Sequence, residues 1–575
     1  MASHIFRGPL IVALLAGWLT GCATPIQKAP STPSMVLPAP DVTPLDPVED
    51  YPRVALDEEI LFRILIGDVA AQRGEYVLAF QAWMDLAEKT GDARVARRAF
   101  EVAIGSGQMD EAIVAVKRWT VLAPKSEQPQ QLLLALLIRT NRIAEAEPYL
   151  MELLEREPDK LGAAIVQMPR IWQEGSDQAA VLHVHQTIIE RYPAMPEAHF
   201  ALAVMLVRQG RDAEAIAALD RALQLRPDWE SAQLYKAQLL PIAERMAFLQ
   251  QPSLRQNRAA QLLLASSQLE AMRNTEARQT YDVVLQKWPD DIEALTGAGL
   301  LAQYVGDYVR ADTLFKRGLA QNPANADHLR AYLAQSAEMR LQYREALNWY
   351  LQVGPDASLK ITARIARLQA RLGAADEAKA LVAAMPEANA EQKLEKIQTR
   401  AQVLRELKDH QGALQLLNEA VAAMPEAYEL LLERSLAADY AGDYAQAEAD
   451  LRLYLSKRPD DASALNALGY TLANRFDRLL EAEQLIDRAL ASDPENAAFI
   501  DSLGWLRFRQ GRYAEAVVLL AKAHARFPDP EVSAHYAEAL WRHGERAKAR
   551  SVLDAALKLS PDDDGLLILK KKLGL

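Results

Sequence analysis

Ten alanines that recur in register through this 575-residue chain each have a proline twelve residues behind them, and this spacing constrains the fold more than any other feature. The pairs are Ala112 and Pro124, Ala146 and Pro158, Ala215 and Pro227, Ala277 and Pro289, Ala311 and Pro323, Ala413 and Pro425, Ala447 and Pro459, Ala482 and Pro494, Ala516 and Pro528, and Ala549 and Pro561. Consecutive anchors Ala79, Ala112, Ala146, Ala180 and Ala215 step by 33, 34, 34 and 35. From Ala277 through Ala311, Ala346, Ala378, Ala413, Ala447, Ala482, Ala516 and Ala549 the steps are 34, 35, 32, 35, 34, 35, 34 and 33. A unit of that length holds two helices and two short turns, and Ala516, Leu519, Leu520 and Ala523 show the helical apolar spacing. The small anchor marks the closest approach of two antiparallel helices, where a larger side chain would push them apart. Gly442 and Gly511 close first helices, because glycine takes a left-handed cap without steric cost. The proline ends the second helix, since it cannot donate the helical hydrogen bond. One such hairpin cannot bury its apolar face alone, whereas stacked hairpins share a continuous core and avoid a single oversized globule.

This period and signature resemble the tetratricopeptide repeat over residues 56–562. The resemblance implies an all-α superhelical solenoid of about 14–15 helical hairpins, with a concave groove lined by the first helix of each. The Ala215-to-Ala277 step is 62, and Pro241 and Pro252 bracket only ten residues where a full second helix belongs. The expected organisation is therefore an N-terminal array over 56–227, a degenerate break over 228–276 and a C-terminal array over 277–561. A capping helix over 562–575 sets Leu566, Leu567 and Leu569 against Lys570, Lys571 and Lys572. Pro148 and Pro169 should kink their helices, and the early Pro355 and Pro386 predict irregular units near 355–400.

The chain begins with a different signal. Arg7 precedes an apolar run of 11 residues, Pro9 to Leu19, too short to span a bilayer as a helix. Leu19-Thr20-Gly21-Cys22 then resembles the lipobox of bacterial lipoproteins, and Cys22 is the only cysteine. The resemblance implies removal of residues 1–21, diacylglycerol on the Cys22 thiol and stable anchoring by two or more acyl chains. Ala23 in place of aspartate implies the outer membrane, facing the periplasm. Residues 22–55 read as a tether: eight prolines fall between Ala23 and Pro52. At about 3.1 Å per residue such a segment reaches up to roughly 90 Å.

Several chemistries are disfavoured. One cysteine allows no internal disulfide and no multi-cysteine metal site. A net charge of −12 argues against a nucleic-acid partner, which requires a dense basic face. His183 and His185, two residues apart on a helix, point to opposite sides and cannot share a metal. No P-loop, dinucleotide glycine motif, H-E-x-x-H or nucleophile elbow occurs. The expectation is a chain with no catalytic residue, cofactor, metal or small-molecule substrate. Trp83 and Trp119 fall on the packing side of second helices, and Arg94, Arg97 and Arg98 form a small solvated basic cluster.

In the tetratricopeptide family, positions 2, 5, 9, 12 and 13 of the first helix line the groove. Counting back from the anchors places Tyr440, Asn466, Tyr470, Asp501, Trp505, Phe508, Arg509, Trp541 and Arg542 there, with one extra turn residue allowed before Ala482. Aromatics and arginines dominate binding hot spots, so these are candidate groove contacts for a peptide or protein; inter-repeat packing is the competing role. The lysine and asparagine pair of the dicarboxylate clamp is absent. The lipobox, the tether and the long array, with the stretches Ala464–Tyr470 and Asp501–Trp505, resemble outer-membrane lipoproteins of the LbcA and NlpI type. That resemblance implies an adaptor holding a periplasmic carboxyl-terminal processing protease and the peptidoglycan hydrolases it degrades, which limits cell-wall cleavage. The alternative is an assembly scaffold or pilotin for a secretin, pilus or exopolysaccharide export system. The oligomeric state stays open.

Overall fold

In the computed structural model, residues 52–156, 158–354 and 358–575 are described, and their regular structure consists of 31 α-helices and three short 3-10 segments. The leader, Cys22, the tether up to Tyr51 and Pro355 lie outside the described residues. The α-helices pair consecutively into fifteen hairpins, from Glu58–Gln72 with Tyr76–Thr90 to Pro530–His543 with Arg546–Leu559, followed by Asp564–Leu573. This is the tetratricopeptide solenoid architecture. The chain falls into two units, residues 52–260 and 261–575.

The anchors explain the pairing. All fourteen lie near the start of second helices, thirteen are 0–1 % exposed, and Ala180 is partly buried. A glycine stands twelve residues before three of them, Ala79, Ala311 and Ala516, and thirteen before Ala482, where the turn holds the extra residue. Four residues after each of these anchors stands a large side chain in contact with that glycine: Gly67 and Trp83, Gly299 and Phe315, Gly469 and Ile486, Gly504 and Leu520. A Cβ on Gly469 would lie 2.7 Å from Ile486 Cγ1 and 3.1 Å from the Ala482 carbonyl oxygen. Glycine to alanine within an unencumbered helix gains about 1 kcal/mol. Gly469→Ala is expected to reverse that sign and destabilise by about 1–3 kcal/mol through overpacking. Urea unfolding checks this, and a stabilised variant would contradict it.

A second regularity lies five residues before the anchors. Thirteen of the fourteen positions have positive φ, including Gly442 at 84° and Gly511 at 77°. Five of the thirteen are not glycine: Asn141, Met272, Leu341, Lys408 and Asp477. A left-handed L-residue costs about 1–2 kcal/mol, partly offset by the greater freedom that glycine brings to the unfolded chain. Met272 has φ 59° and a side chain 70 % exposed, so its truncation sacrifices little packing. Met272→Gly is accordingly expected to stabilise the protein by about 0.5–1 kcal/mol, measured as a higher urea midpoint at unchanged slope.

The departures follow the prolines. Pro148 lies inside the helix Ile143–Arg156, and the first helix of the Ala180 unit stops at Gln167, with Pro169 in the 3-10 segment Met168–Arg170. Glu230–Leu239 and Ile242–Leu249 form a shortened hairpin ended by the 3-10 segment Pro252–Leu254. Arg258–Glu270 is already the regular first helix of the Ala277 unit, which narrows the irregular stretch to 230–254. The second helices Tyr343–Tyr350 and Ala375–Ala384 have only eight and ten residues, shortened ahead of Pro355 and Pro386. At the C-terminus, Leu566 and Leu569 pack on Ala537, Leu553 and Ala556. Leu567, expected on that packed face, is instead exposed together with Ile568.

Candidate functional site

The first helices Ala462–Arg475, Ala497–Arg509 and Pro530–His543 start at the same register because each has a carboxylate or amide N-cap. Asp461 accepts from the Ala464 amide, Asn496 from Ala498 and Phe499, and Asp529 from Val532. Equivalent positions of the three helices consequently fall side by side. Trp505 occupies the centre. Its Nε1 donates to Asn474 Oδ1 at 3.2 Å, and its ring stacks on Phe508 at 4.6 Å and on His535 at 4.1 Å. His535 Nδ1 lies 3.0 Å from Asp501 Oδ2, and its ring also meets Tyr470, with Nε2 3.4 Å from the Tyr470 hydroxyl. That hydroxyl donates to Glu531 Oε1 at 2.8 Å and accepts from Asn474 Nδ2 at 3.3 Å. Arg509 donates to the Asn474 carbonyl oxygen at 2.9 Å and to Asp477 at 3.3 Å.

Tyr470, Asp501, Trp505, Phe508 and Arg509 thus belong to one network spanning three hairpins. Burial, and next the Asp501 charge, push the Tyr470 phenol far above its ordinary range, so it acts as a neutral hydroxyl donor. His535 is held on both nitrogens and stacked under Trp505. Such a histidine braces the three first helices against one another. Trp505 is only 9 % exposed. Phe508 and Trp541 are half-buried and Arg542 is exposed, and these three offer contact area beside the braced indole.

The remaining candidates are placed differently. Asp501 and Asn466 are fully buried, so neither lines an open groove as their repeat position implied. Neither amide atom of Asn466 has a hydrogen-bond partner. Tyr440 is 47 % exposed and stacks on His410 at 5.1 Å. Trp541 packs beside Tyr536, Leu540 and Phe508, with the Arg546 guanidinium 5.3 Å from its ring centre.

Sequence reasoning passed over Asn474, Glu531 and His535. Asn474 shares the register of Tyr440, Arg509 and Arg542, and Glu531 stands second in its helix, so both occupy groove positions and a search for polar groups there would have found them. His535 aligns with Ser502 and carries no such signal. Elsewhere, His183 is exposed and His185 is buried on the opposite side of Gln178–Arg191. Trp83 and Trp119 are buried core residues. Arg94 pairs with Asp92, Arg97 with Glu101, and Arg98 with Glu101 and Asp68, so the basic cluster is neutralised locally. Among the described residues no group of three or more His, Cys, Asp or Glu side chains could hold a metal ion, and no helix is long and apolar enough to cross a membrane.

Models of the tetratricopeptide repeat match residues 178–229, 259–291, 432–497 and 507–573. The chain is similar to the TPR repeat-containing protein PA4667 of Pseudomonas aeruginosa, with 29 % identity over 549 residues covering 92 % of this chain and 89 % of that one. Solved structures aligned to it include the APC/C hetero-tetramer Cut9-Hcn1, with 14 % identity, TM-score 0.32, and coverage of 90 % of this chain and 96 % of that one. A thermophilic TPR protein of Thermus thermophilus aligns with 20 % identity, TM-score 0.28, and coverage of 31 % and 96 %. The repeat matches, the homologue and the buried anchor alanines agree with a tetratricopeptide-repeat solenoid fold.

Proposed function

We propose that this protein is a lipid-anchored, non-enzymatic adaptor at the outer membrane, holding a periplasmic carboxyl-terminal processing protease beside the peptidoglycan hydrolases that it degrades. Tetratricopeptide arrays serve as protein-interaction scaffolds, and the observation that carries a binding role here is the surface of Phe508, Trp541 and Arg542 next to the braced Trp505. Aromatic and guanidinium groups held in place lose little entropy on binding. The mechanism is effective concentration: two partners on one tethered scaffold meet intramolecularly, and the scaffold supplies no reacting group. The lipobox and the resemblance to adaptor lipoproteins support the anchor and the partner class.

Affinity purification from crosslinked cells, with partners identified by mass spectrometry, tests the reading. Recovery of a periplasmic serine protease with cell-wall hydrolases is the expected result; recovery of a secretin or export machinery without a protease would overturn it. For the surface itself, Trp541→Ala combined with Arg542→Ala should weaken binding of the recovered partner about 30-fold or more while helical content stays constant. Unchanged affinity would remove this face from the interface.

A further inference from the structure

Among the described residues the first helix, Glu58–Gln72, buries one side and leaves the other exposed. Ile60, Gly67 and Ala70 face the core, with Ile64 and Ala71 packed beside them. On the opposite side Phe62 is 62 % exposed, Leu65 54 % and Val69 44 %. Phe62 and Val69 stand 17 and 10 residues ahead of Ala79, as Val95 and Val102 stand ahead of Ala112. Val95 and Val102 belong to one apolar cluster with Trp83 and Leu86 of the preceding hairpin. The exposed side is therefore the face that, in the next unit, packs against another hairpin, and among the described residues no hairpin precedes it.

The charges on this face select its occupant. Glu58, Phe62, Leu65, Val69 and Arg73 are spaced 4, 3, 4 and 4 residues apart and form a single helical stripe. Its outer pairs, Phe62 with Val69 and Glu58 with Arg73, are symmetric about a point between Leu65 and Ile66. In an antiparallel pair of such helices Leu65 lies beside the two-fold axis, Phe62 faces Val69 of the second copy, and Glu58 faces Arg73 of the second copy. Glu58 and Arg73 are both exposed, and neither has an ion-pair partner among the described residues, whereas the off-stripe Glu59 and Arg63 are paired with each other. An isologous contact requires this kind of self-complementary patch. A membrane surface fits less well, because an interfacial helix carries an excess of Lys and Arg along its polar face and this one carries Glu58, Glu59 and Asp68 against Arg63 and Arg73.

We infer that the open N-terminal face is a homodimer interface in which the first helices of two copies pack antiparallel through Phe62, Leu65 and Val69, closed at each end by Glu58 against Arg73. The inference is independent of the adaptor reading, because it concerns only a second copy of this chain.

Sedimentation velocity of the purified full chain from about 1 to 100 µM tests it. The expected result is a concentration-dependent dimer. Leu65→Glu places two like charges beside the axis and should raise the dissociation constant about 100-fold; the site is exposed, so circular dichroism should show an unchanged fold. Glu58→Arg and Arg73→Glu should each weaken the dimer about tenfold, and the double swap should restore it. A wild-type chain that is monomeric across the range, a dimer indifferent to Leu65→Glu, or a double swap no tighter than the single variants would each overturn the inference.

Discussion

Glu338→Ala is expected to cost about 3–5 kcal/mol, the range seen when one partner of a buried ion pair is removed. The Glu338 side chain is 2 % exposed, and its two oxygens serve three groups from neighbouring elements. Oε2 accepts from Arg364 Nη1 at 2.6 Å and from the Tyr350 hydroxyl at 3.0 Å, while Oε1 pairs with Arg367. Glu338 lies on the first helix Ala326–Met339, Tyr350 on the second helix Tyr343–Tyr350, and the arginines on the next first helix, Leu359–Arg371. Burial works against the Arg364 charge, but the Tyr350 hydroxyl oxygen, which accepts from Arg364 Nη1, and the Glu338 carboxylate outweigh it and hold the guanidinium protonated. Burial, and next Glu338, keep the Tyr350 phenol neutral. Without the carboxylate, two guanidiniums face each other and a buried hydroxyl loses its acceptor. The network sits where the second helix is only eight residues long, so it ties together units that share less apolar contact there. Exchanging the whole group, with Glu338→Met, Arg364→Leu and Arg367→Leu together, should fall within about 2 kcal/mol of wild type, since apolar packing can substitute for a buried ion triad. Urea unfolding of both variants decides the matter: a Glu338→Ala cost below about 1 kcal/mol would mean that water or rearranged partners replace the carboxylate.

That network shows where the sequence stops being informative. The anchor alanines reveal the hairpins because one steric requirement, close helix approach, recurs at a fixed interval and leaves the same residue type each time. The left-handed residue five positions before the anchor was visible where it is Gly442 or Gly511 and hidden where it is Met272, Leu341 or Lys408, because tertiary packing holds the turn even when the residue disfavours it. Side-chain partners between units are a different kind of information. Tyr470 reaches Glu531, 61 residues away and two hairpins on, and that contact depends on how hairpins stack, which no single period encodes. Repeat position brought Asp501 and Asn466 onto the groove, yet both are buried, because neighbouring helices close over that position. Trp505 was recognisable as an aromatic at a groove position; its bracing by His535 and Asn474 was not. Fewer of the groove positions are open than the sequence suggested, and among them Phe508, Trp541 and Arg542 form the surface proposed above for a partner.

The second large effect is pH-dependent and belongs to the unit of residues 52–260. His185 is 1 % exposed on the helix Gln178–Arg191, and Trp172 Nε1 donates to its Nε2 at 3.1 Å. An accepting Nε2 requires the neutral ring with its proton on Nδ1, which has no partner. Protonation would set an N–H against the Trp172 N–H and place a charge in an apolar core. Burial, with a smaller contribution from Arg208, lowers the pKa from 6.5 to about 4. The folded-state value lies below the unfolded one, so on acidification the unfolded chain takes up a proton that the folded chain refuses. The stabilisation is complete above about pH 6.5 and is lost as the pH falls towards about 4, amounting to about 2–3 kcal/mol by pH 4.5. His185→Gln keeps an acceptor for Trp172 and removes the titration. The variant should therefore be less stable than wild type at pH 7, or nearly equal to it, and should lose about 2–3 kcal/mol less between pH 7 and 4.5. Urea unfolding of the full chain at the two pH values, followed by pulse proteolysis of peptides from residues 178–191, reads the difference. Equal losses in the two proteins would show that acid acts elsewhere. A smaller loss in the variant would make this one buried imidazole a principal source of acid sensitivity in the unit of residues 52–260.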